Sequence, residues 1–318
     1  MSLVGRLDGL QRRHPSAGFP IAVLYKYIDD SGGYLAALLT YYAFLSLFPL
    51  LLLASTILGY VLSGDPAAQQ AILGTALRQF PVIGQQLQDP GRIGGGLAGL
   101  LVGGLGALYG GLGVGQALQF ASNTAFRVPR NSRPNPLLAR GRGMLLLLVL
   151  GLAVLGTTAL STLGAVADVL GPAGKALVLA LSVALNAGVL VLTFRIATPR
   201  ALRVRDVVPG AIVAATVWQL LQSFGAAYVQ HVVRDASATN GVFALVLGLI
   251  SFLYLASVAA VLCIEINAVR VDRLYPRALL TPLTDDVELT EGDERAYAEQ
   301  AKAARSKGFE QIDVHFDR

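Results

Sequence analysis

The sequence is poor in the residues on which catalysis and covalent cross-linking depend. Its 318 residues include one cysteine, Cys263, so an internal disulfide is excluded. The three histidines, His14, His231 and His315, share no motif, and no Gly-x-Ser-x-Gly elbow occurs. Metal-dependent phosphodiester cleavage needs clustered His, Asp or Glu ligands. We therefore expect no enzyme activity, no bound metal and no cofactor.

Charge is also scarce. Charged residues make up 14% of the chain and hydrophobic residues 54%, whereas soluble domains average about 25% charged residues. Crossing a hydrocarbon core of ~30 Å takes about 20 mainly apolar residues in a helix, and every backbone polar group must be bonded internally. Six runs meet this requirement. They predict an all-α polytopic membrane protein with six transmembrane helices at Leu35–Leu62, Ile93–Ala121, Met144–Ala167, Ala176–Phe194, Gly210–Val229 and Val242–Ala268.

The positions of the arginines predict the orientation of these spans, because short cytoplasmic loops hold the excess of Lys and Arg. The loop after the second span contains no acidic residue and is rich in arginine. Its members are Arg127, Arg130, Arg133, Arg140 and Arg142. Both termini are therefore predicted to be cytoplasmic. We expect this cationic rim to contact anionic headgroups of membrane lipids rather than nucleic acid, because the arginines are not interleaved with aromatic residues.

The chain divides into three regions. Residues 1–34 form a cytoplasmic or interfacial segment with a short helix in the headgroup region, because Ile21, Leu24, Tyr25 and Ile28 share one helical face. Residues 35–269 form the transmembrane domain. Residues 270–318 form an acidic cytoplasmic tail.

Two further helices are predicted outside the spans. In the tail, Thr290 is a suitable N-cap and Gly308 a suitable stop, which predicts one solvated helix in an otherwise loose segment. Between the first two spans, apolar residues recur at helical spacing from Asp65 to Phe80. This second pattern is typical of a helix that rests on the outer leaflet or caps the bundle.

Polar side chains inside the spans are the candidate functional residues. An ionisable group within a span costs at least ~2.5 kcal/mol and marks a functional site by default, and Glu265 is the strongest candidate. Glu265 could instead have a purely structural role, either in an ion pair with Arg195 or by snorkelling to the interface within one turn of Arg270. Gln219, Gln222 and Asn186 could likewise only form hydrogen bonds between helices. We expect a polar pocket open to the cytoplasm, with substrate-binding or translocation residues Tyr41, Tyr42, Gln116, Asn186, Arg195, Gln219, Gln222 and Glu265.

Pro49 interrupts the first span. It removes one backbone donor and clashes with the carbonyl of Leu45, which predicts a kink, and Ser46 is close enough to bond the freed carbonyl. The kink either leans the cytoplasmic end of the span toward the other polar groups or only improves packing. In the second span, glycines recur every four residues, which predicts a central helix with close neighbours.

Four stretches of the sequence carry a resemblance to a known family. They are "ALLTYYAFLSLFPLLLL", "FRIATP", "VVPGAIVAATVWQ" and "FLYLASVAAVLCIEINAV". The sequence resembles the YihY and BrkB family of bacterial inner-membrane proteins from Tyr25 to Val269, departing at Cys263, where the family usually has glycine. The resemblance implies six spans with cytoplasmic ends in the bacterial inner membrane. The family carries an old ribonuclease label and a virulence label, and some members are linked to lipid export.

Two functions agree with these observations. The first is a transporter or translocator of an amphipathic, anionic lipid-like solute, which would use the polar layer, the kinked span and the cationic rim. The second is a membrane scaffold that transports nothing and recruits cell-envelope partners through the acidic tail and the outer helix. A membrane-bound ribonuclease is not expected. The oligomeric state stays open, and a homo-oligomer is compatible with the sequence.

Overall fold

The computed structural model describes residues 8–9, 11–61, 96–162, 171–228 and 238–316. Within these ranges the chain is helical and contains no strand, which confirms the all-α class. Two short 3₁₀ turns accompany the α-helices, at Pro15–Gly18 and Arg130–Ser132. The α-helices are α1 (Phe19–Asp29), α2 (Gly32–Val61), α3 (Gly96–Ala125), α4 (Pro136–Thr162), α5 (Gly171–Ala197), α6 (Val204–Tyr228), α7 (Ala238–Asp272) and α8 (Glu291–Ala303).

The six apolar segments of the sequence correspond to α2 through α7. Five helices in the described residues are long and apolar enough to cross a membrane, so the chain is built as a multi-pass membrane protein. In α2 the apolar stretch Gly32–Leu47 is shorter, and six spans with cytoplasmic ends stay a prediction. The helix predicted from Asp65 to Phe80 lies outside the described residues. The stretches that are long and apolar enough to cross a membrane are Leu100–Ala125, Pro136–Ala153, Gly171–Ala197, Val204–Gln222 and Val246–Asp272.

Helix α3 packs against α2 through its glycines. A Cβ atom added to Gly110 would lie 2.6 Å from the Cα atom of Ser46, and one added to Gly113 would lie 2.1 Å from Cδ1 of Tyr42. Real Cβ atoms essentially never approach other atoms closer than 3.0 Å. Helix α3 also contacts α4, α5 and α7, so the prediction of a central, closely packed helix is confirmed.

Helix α2 continues through Pro49. The Ser46 hydroxyl donates to the carbonyl of Ala43 at 2.8 Å. The prediction that Ser46 bonds the carbonyl of Leu45 is therefore wrong, because the hydroxyl reaches back three residues along its own turn. Pro49 instead packs against α3, where a Cβ atom on Gly106 would lie 2.8 Å from the proline ring.

Helix α6 contains a second proline, and α7 completes its backbone hydrogen bonds. Pro209 has no N–H, so the carbonyl of Arg205 loses its helical partner. Nη1 of Arg270 donates to that carbonyl at 2.9 Å. The next backbone N–H, from Gly210, donates to Oδ1 of Asn267 at 2.9 Å. These bonds fix the start of α6 against the end of α7, at the face that the sequence predicts to be cytoplasmic.

The tail helix α8 begins as predicted but is not solvated. Thr290 is its N-cap and forms a capping box with Asp293. The helix ends at Ala303, before the predicted stop. Asp293 and Ala296 are fully buried, and Asp293 accepts hydrogen bonds from the buried Arg277 side chain and from the backbone N–H of Ala278. The prediction that the tail helix is solvated is therefore wrong, because the buried Arg277 holds α8 against the bundle.

Candidate functional site

A chain of buried charges connects the last span to the face of the bundle that the sequence predicts to be cytoplasmic. Glu265 of α7 is fully buried, and its Oε2 lies 3.2 Å from Nζ of Lys26 in α1. Lys26 also forms a buried ion pair with Asp30, one turn further along α1. Oδ1 of Asp30 lies 3.3 Å from Nη2 of Arg127, at the end of α3. We call these four residues the ion network; their formal charges cancel.

Helix α1 places two members of the ion network because positions four apart lie on one helical face. That face also carries Ala22 and Val23, which pack in a buried cluster with Val269 of α7. The opposite face carries Leu24 and Ile28, which are 53% and 56% exposed. The face predicted to lie among headgroups is therefore exposed at Leu24 and Ile28 and half-buried at Ile21 and Tyr25.

Sequence reasoning selected Glu265 but missed its partner. Arg195 is exposed, and Arg270 bonds the carbonyl of Arg205 rather than Glu265. The signal that could have identified Lys26 is a single lysine inside the apolar stretch "FPIAVLYKYIDD". Burying an ion without a counter-ion costs several kcal/mol, so a lysine in this stretch is expected to pair with carboxylates, and Asp30 lies only one helical turn away.

The carboxylate of Glu265 retains bonding capacity. Neither of its oxygens accepts a hydrogen bond of good geometry from the described residues, and the contact with Lys26 is an ion pair. A buried carboxylate has about four acceptor positions. Glu265 can therefore accept a further donor without breaking a hydrogen bond that it already makes.

Arg127 occupies a backbone position that glycine usually takes. Helix α3 ends with the N–H of Val128 bonded to the carbonyl of Asn123 at 2.9 Å, and Arg127 has a φ of 50°. A left-handed conformation costs a residue with a side chain roughly 1–2 kcal/mol. Nη1 of Arg127 donates to the carbonyl of Ala296 in α8 at 3.0 Å. Arg127 is only 7% exposed, so it is not on the open surface, and this hydrogen bond joins the end of α3 to α8.

Two clefts flank Arg127 at this face, and α8 forms one wall of each. The first, which we call the arginine cleft, has a volume of about 260 Å³ and is lined by Asp29, Asp30, Ser31, Asn123, Thr124, Arg127, Arg130, Arg133, Gln300, Ala303 and Ala304. The second, which we call the proline cleft, has a volume of about 400 Å³ and is lined by Phe126, Arg127, Val128, Pro129, Ser132, Pro199, Arg200, Glu299 and Lys302.

The arginines of the two clefts differ in their charge environment. In the proline cleft, bidentate hydrogen bonds with Asp272 at 2.7 and 2.9 Å raise the pKa of Arg200. In the arginine cleft, burial and the like charge of Arg130 lower the pKa of Arg133. Among the described residues, Arg130 and Arg133 form no ion pair with a carboxylate. Burial and the charge of Asp272 also raise the pKa of Glu299 in the proline cleft.

The remaining residues predicted for translocation lie along the helices away from these clefts. Tyr41, Gln116 and Arg195 are exposed. Those that are half-buried are Tyr42, Asn186, Gln219 and Gln222. None of these seven, nor Glu265, belongs to the lining of either cleft in the described part of the chain. Their convergence on one pocket stays a prediction.

Other polar groups of the spans bond between helices. Thr40 of α2 donates to the Ser257 hydroxyl of α7 at 3.1 Å. Gln119 of α3 donates to the carbonyl of Ala139 in α4 at 3.0 Å. Within the described ranges, no group of three His, Cys, Asp or Glu side chains is placed to hold a metal ion.

The family model described as Virulence factor BrkB matches residues 23–286. The chain belongs to the BrkB family. No curated protein and no solved structure matches it. The BrkB match includes the whole ion network and ends before α8. In this BrkB family member, the membrane helices and the four buried charges therefore lie within the matched region. Helix α8, which forms one wall of each cleft, follows that region.

Proposed function

We propose that this BrkB family member lies in the bacterial inner membrane with six spans and cytoplasmic termini, and that it translocates an amphipathic, anionic lipid-like solute. The ion network is the observation that carries the proposal. It connects Glu265, inside the last span, to Arg127, which borders both clefts. Charges buried inside a membrane domain are costly and mark functional pathways by default.

Stability alone is a weak reason for such a network. Replacing a buried ion pair with well-packed apolar residues is often neutral or stabilising, by about 1–4 kcal/mol. The ion network also joins α7, α1 and the segment that follows α3, so we expect a change at one end to alter contacts at the other. An anion that approaches Arg127 competes with Asp30 for the guanidinium. Asp30 then strengthens its pairing with Lys26, which weakens the attraction between Lys26 and Glu265.

Through this competition, a solute bound at Arg127 would change the ion pairing of Glu265 inside the last span. A ligand shifts a conformational equilibrium only by its differential affinity for the two states. Here the difference arises at Arg127, whose guanidinium contacts Asp30 in the structure and an anionic headgroup in the loaded state. The cationic rim around the clefts attracts such a headgroup from the cytoplasmic leaflet.

The test is transfer of a fluorescent anionic lipid between the leaflets of liposomes that contain the purified protein. The wild type is expected to transfer lipid faster than empty vesicles, and Glu265→Gln is expected to abolish the excess. Glu288→Gln is the matched control, because it removes the same charge from a carboxylate that is 92% exposed in the tail. Transfer equal to that of empty vesicles, with the wild type folded, would exclude unaided lipid translocation.

The same assay separates translocation from a scaffold function. A scaffold that recruits partners moves no lipid, and Glu265→Gln changes no residue of the acidic tail or the outer helix through which it would recruit them. If Glu265→Gln lowers transfer while Glu288→Gln does not, the result supports translocation through the ion network. If both variants transfer lipid at the wild-type rate, the ion network has no part in transfer.

A further inference from the structure

We infer that the arginine cleft binds a phosphate ester group, and that the proposed function makes the phosphate of an anionic lipid its source. The inference deepens that function by naming the recognised chemistry and the residues that provide it. The binding residues are Arg127, Arg130 and Arg133, together with Asn123.

Two residues that line the cleft have buried polar atoms without a hydrogen-bond partner among the described residues. Arg127 and Asn123 are each 7% exposed. Nε of Arg127 and Oδ1 of Asn123 make no hydrogen bond among the described residues. An unbonded buried polar atom costs about 1–3 kcal/mol, so such atoms are normally satisfied by a ligand or water. The Asn123 amide can turn over and present its two N–H donors to the same space.

Two further arginines bring positive charge to the same space. Nε of Arg133 donates to the carbonyl of Val128 at 3.2 Å, and its guanidinium lies 5.7 Å from the centre of the Phe120 ring. These contacts hold Arg133 in place. The nearby like charge of Arg130 is unfavourable to it. An anion bound between the two guanidinium groups removes this repulsion.

The acidic residues of the cleft are already engaged. Asp30 belongs to the ion network, and Asp29 lies 3.2 Å from Nη2 of Arg277. Asp29 and Asp30 therefore do not act as counter-ions for the positive charges of Arg130 and Arg133. Guanidinium groups match the oxygens of a phosphate with paired N–H donors, and three of them suit a group with several equivalent oxygens better than a carboxylate with two.

The size and location of the cleft favour a headgroup. Its volume of about 260 Å³ is below the roughly 300–1,000 Å³ of sites that enclose a drug-sized ligand. Only the polar end of an amphiphile fits. The cleft lies at the end of α3, just before α4 enters the membrane, so acyl chains can stay in lipid while the phosphate is bound.

The experiment measures binding of three probes to the full-length protein in detergent by microscale thermophoresis. The probes are dioctanoyl phosphatidic acid, dioctanoylglycerol, which has the same chains without phosphate, and inorganic phosphate. The variant is Arg130→Gln/Arg133→Gln. The control is Arg13→Gln/Arg203→Gln, which removes the same charge from two exposed arginines outside both clefts. Circular dichroism checks that each protein is folded.

We expect phosphatidic acid to bind the wild type and the control alike, and to bind Arg130→Gln/Arg133→Gln about tenfold more weakly or worse. Dioctanoylglycerol should not bind measurably. Inorganic phosphate that binds as tightly as phosphatidic acid, and is lost in the same variant, would support the phosphate site with free phosphate as its source. Equal binding by the two double variants, or equal binding of dioctanoylglycerol, would overturn the inference.

The binding and transfer assays fail independently. If phosphatidic acid binds at these arginines but no lipid is transferred, the result would support the phosphate site and contradict the proposed function. If transfer depends on Glu265 but not on Arg130 and Arg133, the result would support the proposed function and contradict the phosphate site.

Discussion

At the scale of single residues, Lys26 has the central place in the ion network. Its ammonium group lies between the carboxylates of Glu265 and Asp30 and is fully buried. Asp30 has a second cation in Arg127, but Glu265 has no other ion-pair partner among the described residues. Loss of Lys26 therefore leaves Glu265 as an uncompensated charge in a low-dielectric interior.

We predict that Lys26→Met lowers the free energy of unfolding by about 3–5 kcal/mol. Chemical denaturation in detergent measures this quantity. Lys26→Met/Glu265→Leu should recover most of the loss, because neither charge is then left alone. Lys307→Met, at an exposed position in the tail, is the control and should unfold like the wild type. A double variant as unstable as the single one would show that the two charges are not coupled.

The residues of the site differ in how far the sequence alone reveals them. Glu265 could be selected from the sequence because a carboxylate in an apolar run has a large desolvation cost whatever surrounds it. Its pairing with Lys26 could not, because that depends on how α1 folds back onto α7. Arg127 was assigned to the surface because charge and loop position do not reveal that α8 covers it.

At the scale of elements, the contact between α2 and α3 depends on the absence of side chains. A methyl group at Gly113 would meet the Tyr42 ring at 2.1 Å, whereas one at Gly151 of α4 would meet nothing within 4 Å. We predict that Gly113→Ala destabilises the protein by about 1–3 kcal/mol through overpacking. Gly151→Ala should be neutral or stabilising by up to ~1 kcal/mol, because alanine is the better helix former.

Thermal unfolding of both alanine variants in the same detergent is the measurement. The two substitutions are chemically identical and differ only in what surrounds the added carbon. Equal melting temperatures would mean that α2 and α3 can separate without cost, which would contradict the close packing.

The docking of α8 is a second property of elements. Arg277 is 1% exposed and lies between Asp293 and Asp29. Burial alone would lower the pKa of Arg277, but its hydrogen bond to Asp293 and the charges of both carboxylates outweigh burial and raise the pKa. The guanidinium is therefore charged at every physiological pH, and Asp293 is the α8 carboxylate that compensates it.

We predict that Asp293→Ala releases α8, because it leaves the buried arginine partly unpaired and removes the capping box. Limited proteolysis of the segment between α7 and α8 should become at least about tenfold faster, since a loss of ~1.4 kcal/mol raises the open population tenfold. Glu288→Ala removes an exposed carboxylate from the same segment and should leave the rate unchanged. Identical rates for the two variants would show that Asp293 does not hold the helix.

The places of the helices along the chain are more predictable than their contacts, but α4 begins at Pro136 rather than at the predicted Met144, so Arg140 and Arg142 lie in α4 and not in the predicted loop. Lipid requires long apolar helices, so hydropathy alone locates α2 through α7. The start of α8 could be predicted because Thr290 and Asp293 act within one turn. The contact of α8 with the bundle could not, since it depends on Arg277 and Arg127 from other parts of the chain.

At the scale of the whole molecule, the two clefts and the tail lie together at one end of the helix bundle. The loops at that end carry Arg130, Arg133 and Arg200, and α8 packs there. The positive-inside rule assigns this end to the cytoplasm. The proposed entry of solute from the cytoplasmic leaflet depends on that orientation.

We predict cytoplasmic termini, tested by cysteine labelling in a Cys263→Ala background, since Cys263 is the only cysteine of the sequence. Ser306→Cys places a thiol in the exposed part of the tail, and Thr75→Cys places one between the first two spans. In intact spheroplasts a membrane-impermeant maleimide should label the Thr75→Cys protein and spare the Ser306→Cys protein until the membrane is permeabilised. The opposite pattern would put the arginine cleft on the outer face, where the anionic cytoplasmic leaflet could not supply its ligand. Labelling of both proteins without permeabilisation would put both positions outside, with an even number of spans between them. The six-span arrangement places five spans between these positions and would be contradicted.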